Sequence, residues 1–186
     1  MVSEALIARC AQQDRKAQYE LYRALYGTLM GICSRYERNR QDAIARMNQG
    51  FLKILTSLDK RRPEVPFEAW VRRVMINTVI DEHRKDKERK QREVMDLPIG
   101  TYDSGAANTF LAQMEAEAFA ALLQRVPPMS RNVFNLFAID GYGHQEIATL
   151  LGISEGTSKW HVANARAILQ QALAKTSRIN TSTVAP

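Results

Sequence analysis

Residues 144–157 constrain the fold more tightly than any other part of the chain, because their pattern requires a sharp turn between two helices. Gly152 stands where the first helix must end, a position that favours the positive φ that glycine adopts without strain. Ile153 follows as an apolar plug for the angle between the helices. Ser154 can cap the second helix, and Glu155 meets the positive end of its dipole. The segment therefore predicts a helix-turn-helix.

The second of these helices, from residue 155 to about residue 174, has an apolar face and a face open to a partner. Spacings of three and four residues predict that it buries Ser158, Val162, Ala165, Leu169 and Leu173. Early positions of such a helix can enter the major groove of DNA. The candidate outward residues are Lys159, Trp160, His161, Asn164 and Arg166. For Trp160 three interpretations stay open: a DNA contact, packing onto its own domain, or a protein partner.

Nearly every other strong pattern in the sequence is also helical, and none indicates a strand or a hairpin. Apolar residues recur at helical spacing within 41–58 and 67–92, and the loop between them carries Pro63 and Pro66. Residues 94–110 mix Pro, Gly and small polar residues without a period, which is typical of a linker. We expect an all-α protein of two small helical domains, with these bounds: a first domain at 1–93, a flexible linker at 94–110, a helix-turn-helix domain at 111–177 and a flexible tail at 178–186.

The net charge of +6 is concentrated in the first half of the chain. Residues 1–93 carry 20 Lys and Arg against 13 Asp and Glu, whereas residues 94–186 carry 6 against 7. After Gly156 the sequence contains four cations and no acid. Positive charge placed in this way is typical of a protein that binds a polyanion such as a nucleic acid.

Several classes of function are disfavoured by what the sequence lacks. No spacing of Cys, His and carboxylates suggests a metal, no Gly-rich loop suggests a nucleotide, and no Ser or Cys has a plausible base beside it. Cys10 and Cys33 are expected to be buried small apolar residues. No apolar run is long enough to span a membrane, and the N-terminus is unlike a signal peptide. We therefore expect no catalytic residue, no metal, no cofactor and no membrane insertion, in a cytoplasmic protein that is not an enzyme.

Two sets of motifs resemble the sigma factors of bacterial RNA polymerase, and most of all their small extracytoplasmic-function class. The first set is similar to the second conserved domain of that family and consists of Asp42-Ala43, Gly50–Leu55 and Phe67–Arg84. The second set is similar to the fourth conserved domain and consists of Val126–Phe137, Gly141–Ala148 and Leu151–Thr157. Two unrelated motif sets in the family's order are more specific than either set alone.

The resemblance implies that the chain binds core RNA polymerase and promoter DNA, and that an anti-sigma factor is a further partner. It implies a helix that contacts the polymerase clamp, with the candidate residues Asp42, Asn48, Gln49 and Lys53. It implies a loop and helix that read and melt the −10 element, with the candidates Lys60, Arg61, Arg62, Arg72, Arg73, Asn77 and Arg84. It also implies a helix that reads the −35 element, with the candidates Glu155, Thr157, Ser158, Lys159, Trp160, His161, Asn164 and Arg166.

The chain departs from the family's usual pattern in the clamp-binding helix. The amide-acid pair of the family is Asn48-Gln49 here, and acids of the family are replaced by Ile44-Ala45. Polymerase binding would then depend on hydrogen bonds and apolar area. Because of this departure two alternatives stay open: a helix-turn-helix regulator that acts without polymerase, and a sigma-like protein that mainly sequesters, or is sequestered by, a partner.

Overall fold

The computed structural model describes residues 2–90 and 116–182, and every regular element within these ranges is a helix. The all-α fold class expected from the sequence is confirmed for these residues. The chain divides into two compact units, residues 1–93 and 94–186. The predicted linker at 94–110 lies outside the described residues, so its flexibility stays a prediction. In the described part of the chain no helix is long and apolar enough to cross a membrane.

The first unit is built from four α-helices and a short turn, within the residues described. These are α1 (Glu4–Ala11), α2 (Arg15–Tyr36), α3 (Arg40–Leu55), a 3₁₀ turn (Leu58–Lys60) and α4 (Phe67–Lys90). Polar side chains cap the first three helices by accepting backbone N–H groups, as small polar residues do at this position; they are Ser3, Asp14 and Asn39. The helix predicted to run to residue 58 ends earlier, at Leu55, and the chain then turns toward the loop before α4.

The core of the first unit lies where α2, α3 and α4 pack together. Its buried apolar side chains include Leu21, Leu25 and Leu29 of α2, Ala43, Met47 and Ile54 of α3, and Phe67, Val71, Met75 and Val79 of α4. Helices α3 and α4 approach closely at Gly50, where a Cβ would collide with the side chain of Met75. Both cysteines are buried, as expected, and burial raises the pKa of the Cys33 thiol to about 12.

The buried face of α4 differs from the stripe that the sequence predicts. The helical spacing predicts a stripe of Phe67, Trp70, Val71, Val74, Thr78 and Asp81. Phe67, Val71 and Thr78 are buried as predicted, but Trp70 and Val74 are only half-buried and Asp81 is exposed. Helix α4 packs against both α2 and α3, so its buried face is broad and takes in consecutive residues of the middle turns; these are Met75, Ile76, Thr78, Val79 and Ile80. Trp70 therefore lies at the edge of the core, with its ring 6.0 Å from that of Phe67.

The second unit contains, in its described part, four more helices. They are α5 (Ala116–Leu123), α6 (Pro128–Phe134), which continues into a π-helical turn (Asn135–Ile139), α7 (His144–Leu151) and α8 (Glu155–Ser182). Gly152 takes a φ of +63° after α7, as the sequence predicts. Helix α8 runs beyond the predicted end near residue 174, to Ser182. Residues 183–186 lie outside the description, and the flexibility of the tail predicted at 178–186 stays a prediction.

The core of the second unit gathers around α8. Its buried cluster joins Leu122 and Leu123 of α5 and Phe134 of α6 to Ala165, Leu169 and Ala172 of α8. Four of the five residues that the sequence pattern assigns to the buried face of α8 are buried, and the fifth, Leu173, packs against the cluster while partly exposed. Because α8 is held along this face, its first turns present their other side to solvent.

Candidate nucleic-acid interface

The start of α8 presents a polar surface that local hydrogen bonds hold in place. The Thr157 N–H donates to Ser154 Oγ at 3.0 Å, which caps the helix as predicted. One turn along, Lys159 Nζ lies 2.7 Å from Glu155 Oε1, and this pair keeps the pKa of the Glu155 carboxyl below its usual value. Glu155 and Lys159 are exposed and Thr157 is half-buried, so these three candidates remain accessible to DNA.

One predicted outward residue of α8, His161, is instead buried, and Ser158 is buried as its spacing predicts. Ser158 is fully buried, and His161 is only 4% exposed, with its Nδ1 2.9 Å from Ser130 Oγ. Asn164 donates from Nδ2 to the same oxygen at 3.0 Å. Ser130 Oγ is therefore bonded to two side chains of α8, which ties this helix to α6. The outward position predicted for His161 is therefore wrong, because its side chain bonds within the domain. Ser158, which the resemblance includes among the −35 candidates, is buried as the helical spacing predicts, and its side chain also bonds within the domain.

Trp160 and Arg166 occupy intermediate positions. The indole of Trp160 is half-buried and meets the ring of His161 edge-on, with 4.9 Å between centroids. The guanidinium of Arg166 lies 5.8 Å from the centroid of Phe137. Part of each side chain stays accessible, and their DNA contacts stay predictions.

His144 couples α7 to the buried side of α8. Its ring stacks on Phe137 with centroids 4.4 Å apart, and its Nδ1 lies 3.0 Å from Ser158 Oγ. Burial of the ring lowers the pKa of His144 below its usual 6.5, and the nearby cation Lys159 lowers it further. A proton on this imidazole is therefore disfavoured in the folded state.

The stability of the second unit is expected to fall as the pH falls through 6.5, because the unfolded chain binds a proton on residue 144 more tightly than the folded chain does. The loss levels off below the lowered pKa of the folded state. Urea unfolding measured from pH 8 to pH 5 checks this, with His144→Gln as the neutral reference. An identical pH dependence in wild type and variant would show that His144 is not the group responsible.

The three cations of the loop before α4 differ in their accessibility. Arg61 donates from Nη2 to both carboxylate oxygens of Glu4, at 2.8 and 2.7 Å, and from Nη1 to the carbonyl of Val65. Its guanidinium also lies over the ring of Phe67. In this structure the Arg61 side chain ties the loop to α1, and its contact with a phosphate stays a prediction. Lys60 and Arg62, on either side, are exposed.

Helix α4 exposes a row of cations on one face. Arg73 and Arg84 lie three helical turns apart and are both exposed, with the half-buried amide of Asn77 between them. Arg72 is exposed on an adjoining face. The spacing of three or four residues predicts an ion pair of Asp81 with Arg84 or Lys85. In the structure Asp81 Oδ2 instead lies 3.4 Å from Lys53 Nζ of α3. That contact leaves Arg84 available.

The candidate residues of α3 surround an ion-pair network that sequence reasoning missed. Arg46 is partly buried between Glu37, at 3.0 Å, and Glu82, at 3.3 Å, and it donates from Nη1 to Gln49 Oε1 at 2.7 Å. Its partners belong to the C-terminus of α2 and to α4, so no local pattern reveals the network. Asp42 and Asn48 are exposed, and Gln49 and Lys53 are half-buried.

Comparison with known proteins finds a matching family for each half of the chain. Residues 21–89 match the family described as Sigma-70 region 2, and residues 116–169 match Sigma-70, region 4. The ECF RNA polymerase sigma-E factor of Haemophilus influenzae is 23% identical over 91% of this chain and 94% of its own length. The ECF RNA polymerase sigma factor SigM of Mycobacterium tuberculosis is 25% identical over 90% of this chain and 83% of its own.

A solved structure shares the fold. The sigma factor RpoE of Bartonella quintana, in complex with the anti-sigma factor NepR, superposes with a TM-score of 0.52 and 17% identity over 84% of this chain and 96% of that chain. Within the residues described, no cluster of His, Cys, Asp and Glu suits a metal ion. Region 2 and region 4 are both matched in the family's order, and together the two matches cover more than half of this chain. The chain therefore belongs to the sigma-70 family of RNA polymerase sigma factors, in the extracytoplasmic-function class.

Proposed function

We propose that this sigma factor binds core RNA polymerase through α3, contacts the −10 element through α4 and the loop before it, and reads the −35 element through α8. The single observation that carries this assignment is the match to region 2 and region 4 on one chain, each containing an exposed polar surface.

For the −35 element we propose Glu155, Thr157, Lys159 and Trp160 as the contacting residues. They lie in the first turns of α8, the part of a recognition helix that enters the major groove. Lys159 can reach a guanine edge or a phosphate, and the indole of Trp160 offers an apolar surface to a thymine methyl group. The proposal retains Asn164 and Arg166 only as peripheral candidates, and it assigns Ser158 and His161 to holding α8 against α6 and α7.

For the −10 element we propose the exposed cations of the loop and of α4 as phosphate contacts: Lys60, Arg62, Arg72, Arg73 and Arg84. Asn77 lies on the same face as Arg73 and Arg84 and provides an amide for a base. Trp70 is half-buried at the edge of the core, so part of its ring is available for stacking with a strand that has been separated. Cations beside an aromatic ring and an amide suit single-stranded DNA.

We further propose an anti-sigma factor as a regulatory partner and the cytoplasm as the place of action. The first is supported by the fold that the chain shares with a sigma factor solved in complex with an anti-sigma factor. The cytoplasm is proposed because bacterial RNA polymerase transcribes the chromosome there. As an initiation factor the chain acts by binding, and we assign no catalytic residue to it.

Transcription reconstituted from purified components tests the proposed function. Core RNA polymerase with the full chain is expected to give transcripts from fixed start sites on fragments of the host chromosome, and core polymerase alone is not. Lys159→Ala is expected to reduce these transcripts in proportion to their dependence on the −35 element. Sequence-specific DNA binding without transcripts or polymerase binding would favour the helix-turn-helix regulator instead.

A further inference from the structure

A buried serine of α6 lies behind the recognition surface of α8. Ser130 is only 2% exposed, so its own hydroxyl is shielded from DNA. The hydroxyl oxygen lies 2.9 Å from His161 Nδ1 and accepts a hydrogen bond from Asn164 Nδ2 at 3.0 Å. Both partners belong to α8, 31 and 34 residues further along the chain. This buried oxygen therefore holds two side chains of the recognition helix.

The contact with Ser130 fixes the plane of the His161 ring. The torsion that rotates a histidine ring has broad minima, so packing alone defines the ring plane only loosely. A hydrogen bond at Nδ1 has a preferred direction and removes this freedom. Because His161 is buried as well, its ring is held both in position and in orientation.

His161 in turn supports the indole of Trp160. The two rings meet edge-on, with 4.9 Å between their centroids and 73° between their planes. Aromatic pairs favour this arrangement, which depends on the planes of both rings. Trp160 is half-buried, so the part of its indole that does not contact the domain is accessible. A rotation of the His161 ring would therefore change how Trp160 is presented to a partner.

We propose that Ser130 is a positioning residue for −35 recognition, which acts through His161 to hold the Trp160 indole in the orientation that meets DNA. This inference rests on the proposed function, because it takes Trp160 as a −35 contact. A side chain that is fixed before binding loses less conformational freedom on binding, and the complex is tighter for it. A residue of α6 that does not touch DNA thus contributes to promoter discrimination.

A double-mutant cycle on Ser130 and Trp160 tests this role. Holoenzyme made from core polymerase and the full chain is bound to a promoter fragment and to the same fragment with a scrambled −35 element. The ratio of the two affinities is the discrimination. Ser130→Ala is expected to lower it about fivefold, the effect of one side chain that is no longer fixed in advance. Trp160→Ala is expected to lower it at least as much, and adding Ser130→Ala to that variant is expected to change nothing further, because the side chain that Ser130 positions is absent.

Fluorescence of the free full chain gives a second measurement, without DNA. In a Trp70→Phe background the tryptophan emission comes from Trp160 alone. Ser130→Ala is expected to shift this emission to longer wavelength and to increase its quenching by acrylamide, because the indole loses its fixed neighbour. Val126→Ala is the matched control for a general loss of stability, since Val126 is a buried residue of the same unit. It is expected to lower the melting temperature and to leave emission and discrimination unchanged.

The outcomes separate the inference from the function on which it rests. The role of Ser130 is wrong if Ser130→Ala leaves the emission of Trp160 unchanged, if Val126→Ala loses as much discrimination, or if Ser130→Ala keeps its full effect in the Trp160→Ala background. In these cases the assignment of α8 to the −35 element stands. If Trp160→Ala keeps the wild-type discrimination, the inference fails and Trp160 is not a −35 contact. If wild type does not distinguish the two fragments, the −35 assignment of α8 fails as well.

Discussion

Arg131→Ala is expected to destabilise the second unit by about 3 kcal/mol, which raises the unfolded-to-folded ratio about 100-fold. Arg131 is only 2% exposed, and its Nη1 donates to Gln124 Oε1. Truncation to alanine removes that bond and leaves a cavity the length of an arginine side chain between α5 and α6. Since α8 packs against both helices, the recognition surface is expected to be lost with the unit.

The tryptophans give a direct measurement of this effect. The chain has two, Trp70 in the first unit and Trp160 in the second. In a Trp70→Phe background, fluorescence during urea unfolding follows the second unit alone. Arg125→Ala is the matched control, because Arg125 is exposed and its replacement changes the net charge equally. Equal stability of the two alanine variants would contradict a structural role for Arg131.

The helix-turn-helix could be predicted almost completely from sequence, because each of its parts depends on residues that are close together in the sequence. The positive φ of Gly152, the cap by Ser154 and the burial of Val162 and Leu169 depend on neighbours within a few residues. Helical periodicity reports such relations directly. The same reasoning predicts the exposed cations of α4, since a charged residue away from the apolar face is usually exposed to solvent.

The errors share a different cause, which is pairing between residues far apart in the sequence. The predicted apolar face of α8 leaves His161 outside, but the partner that buries it, Ser130, is 31 residues away in the sequence. Arg61 is likewise held by a distant partner, Glu4, which is 57 residues away. Periodicity contains no information on such pairs, and a polar residue that finds one can be buried at little cost. Predictions for polar site residues therefore fail where tertiary contacts satisfy them.

Replacing Arg73 and Arg84 together with alanine is expected to weaken binding of the full chain to a duplex promoter fragment about thirty-fold near physiological salt. Both cations are exposed on one face of α4, and Lys53 compensates the neighbouring Asp81. If each contacts a phosphate, the double variant releases about two fewer counterions, and the slope of log affinity against log salt falls by about 1.8. Fluorescence anisotropy at several salt concentrations measures both quantities.

A charge-matched control separates a contact from a general effect of net charge. Arg15 and Lys16 are exposed at the start of α2, so their double alanine variant loses the same charge from another helix. It is expected to reduce affinity only slightly and to keep the wild-type slope, because distant exposed charges are screened within about 8–10 Å. If the two double variants lose affinity equally, the face of α4 is not the DNA-binding surface. If the α4 variant weakens binding without changing the slope, Arg73 and Arg84 contact bases and not phosphates.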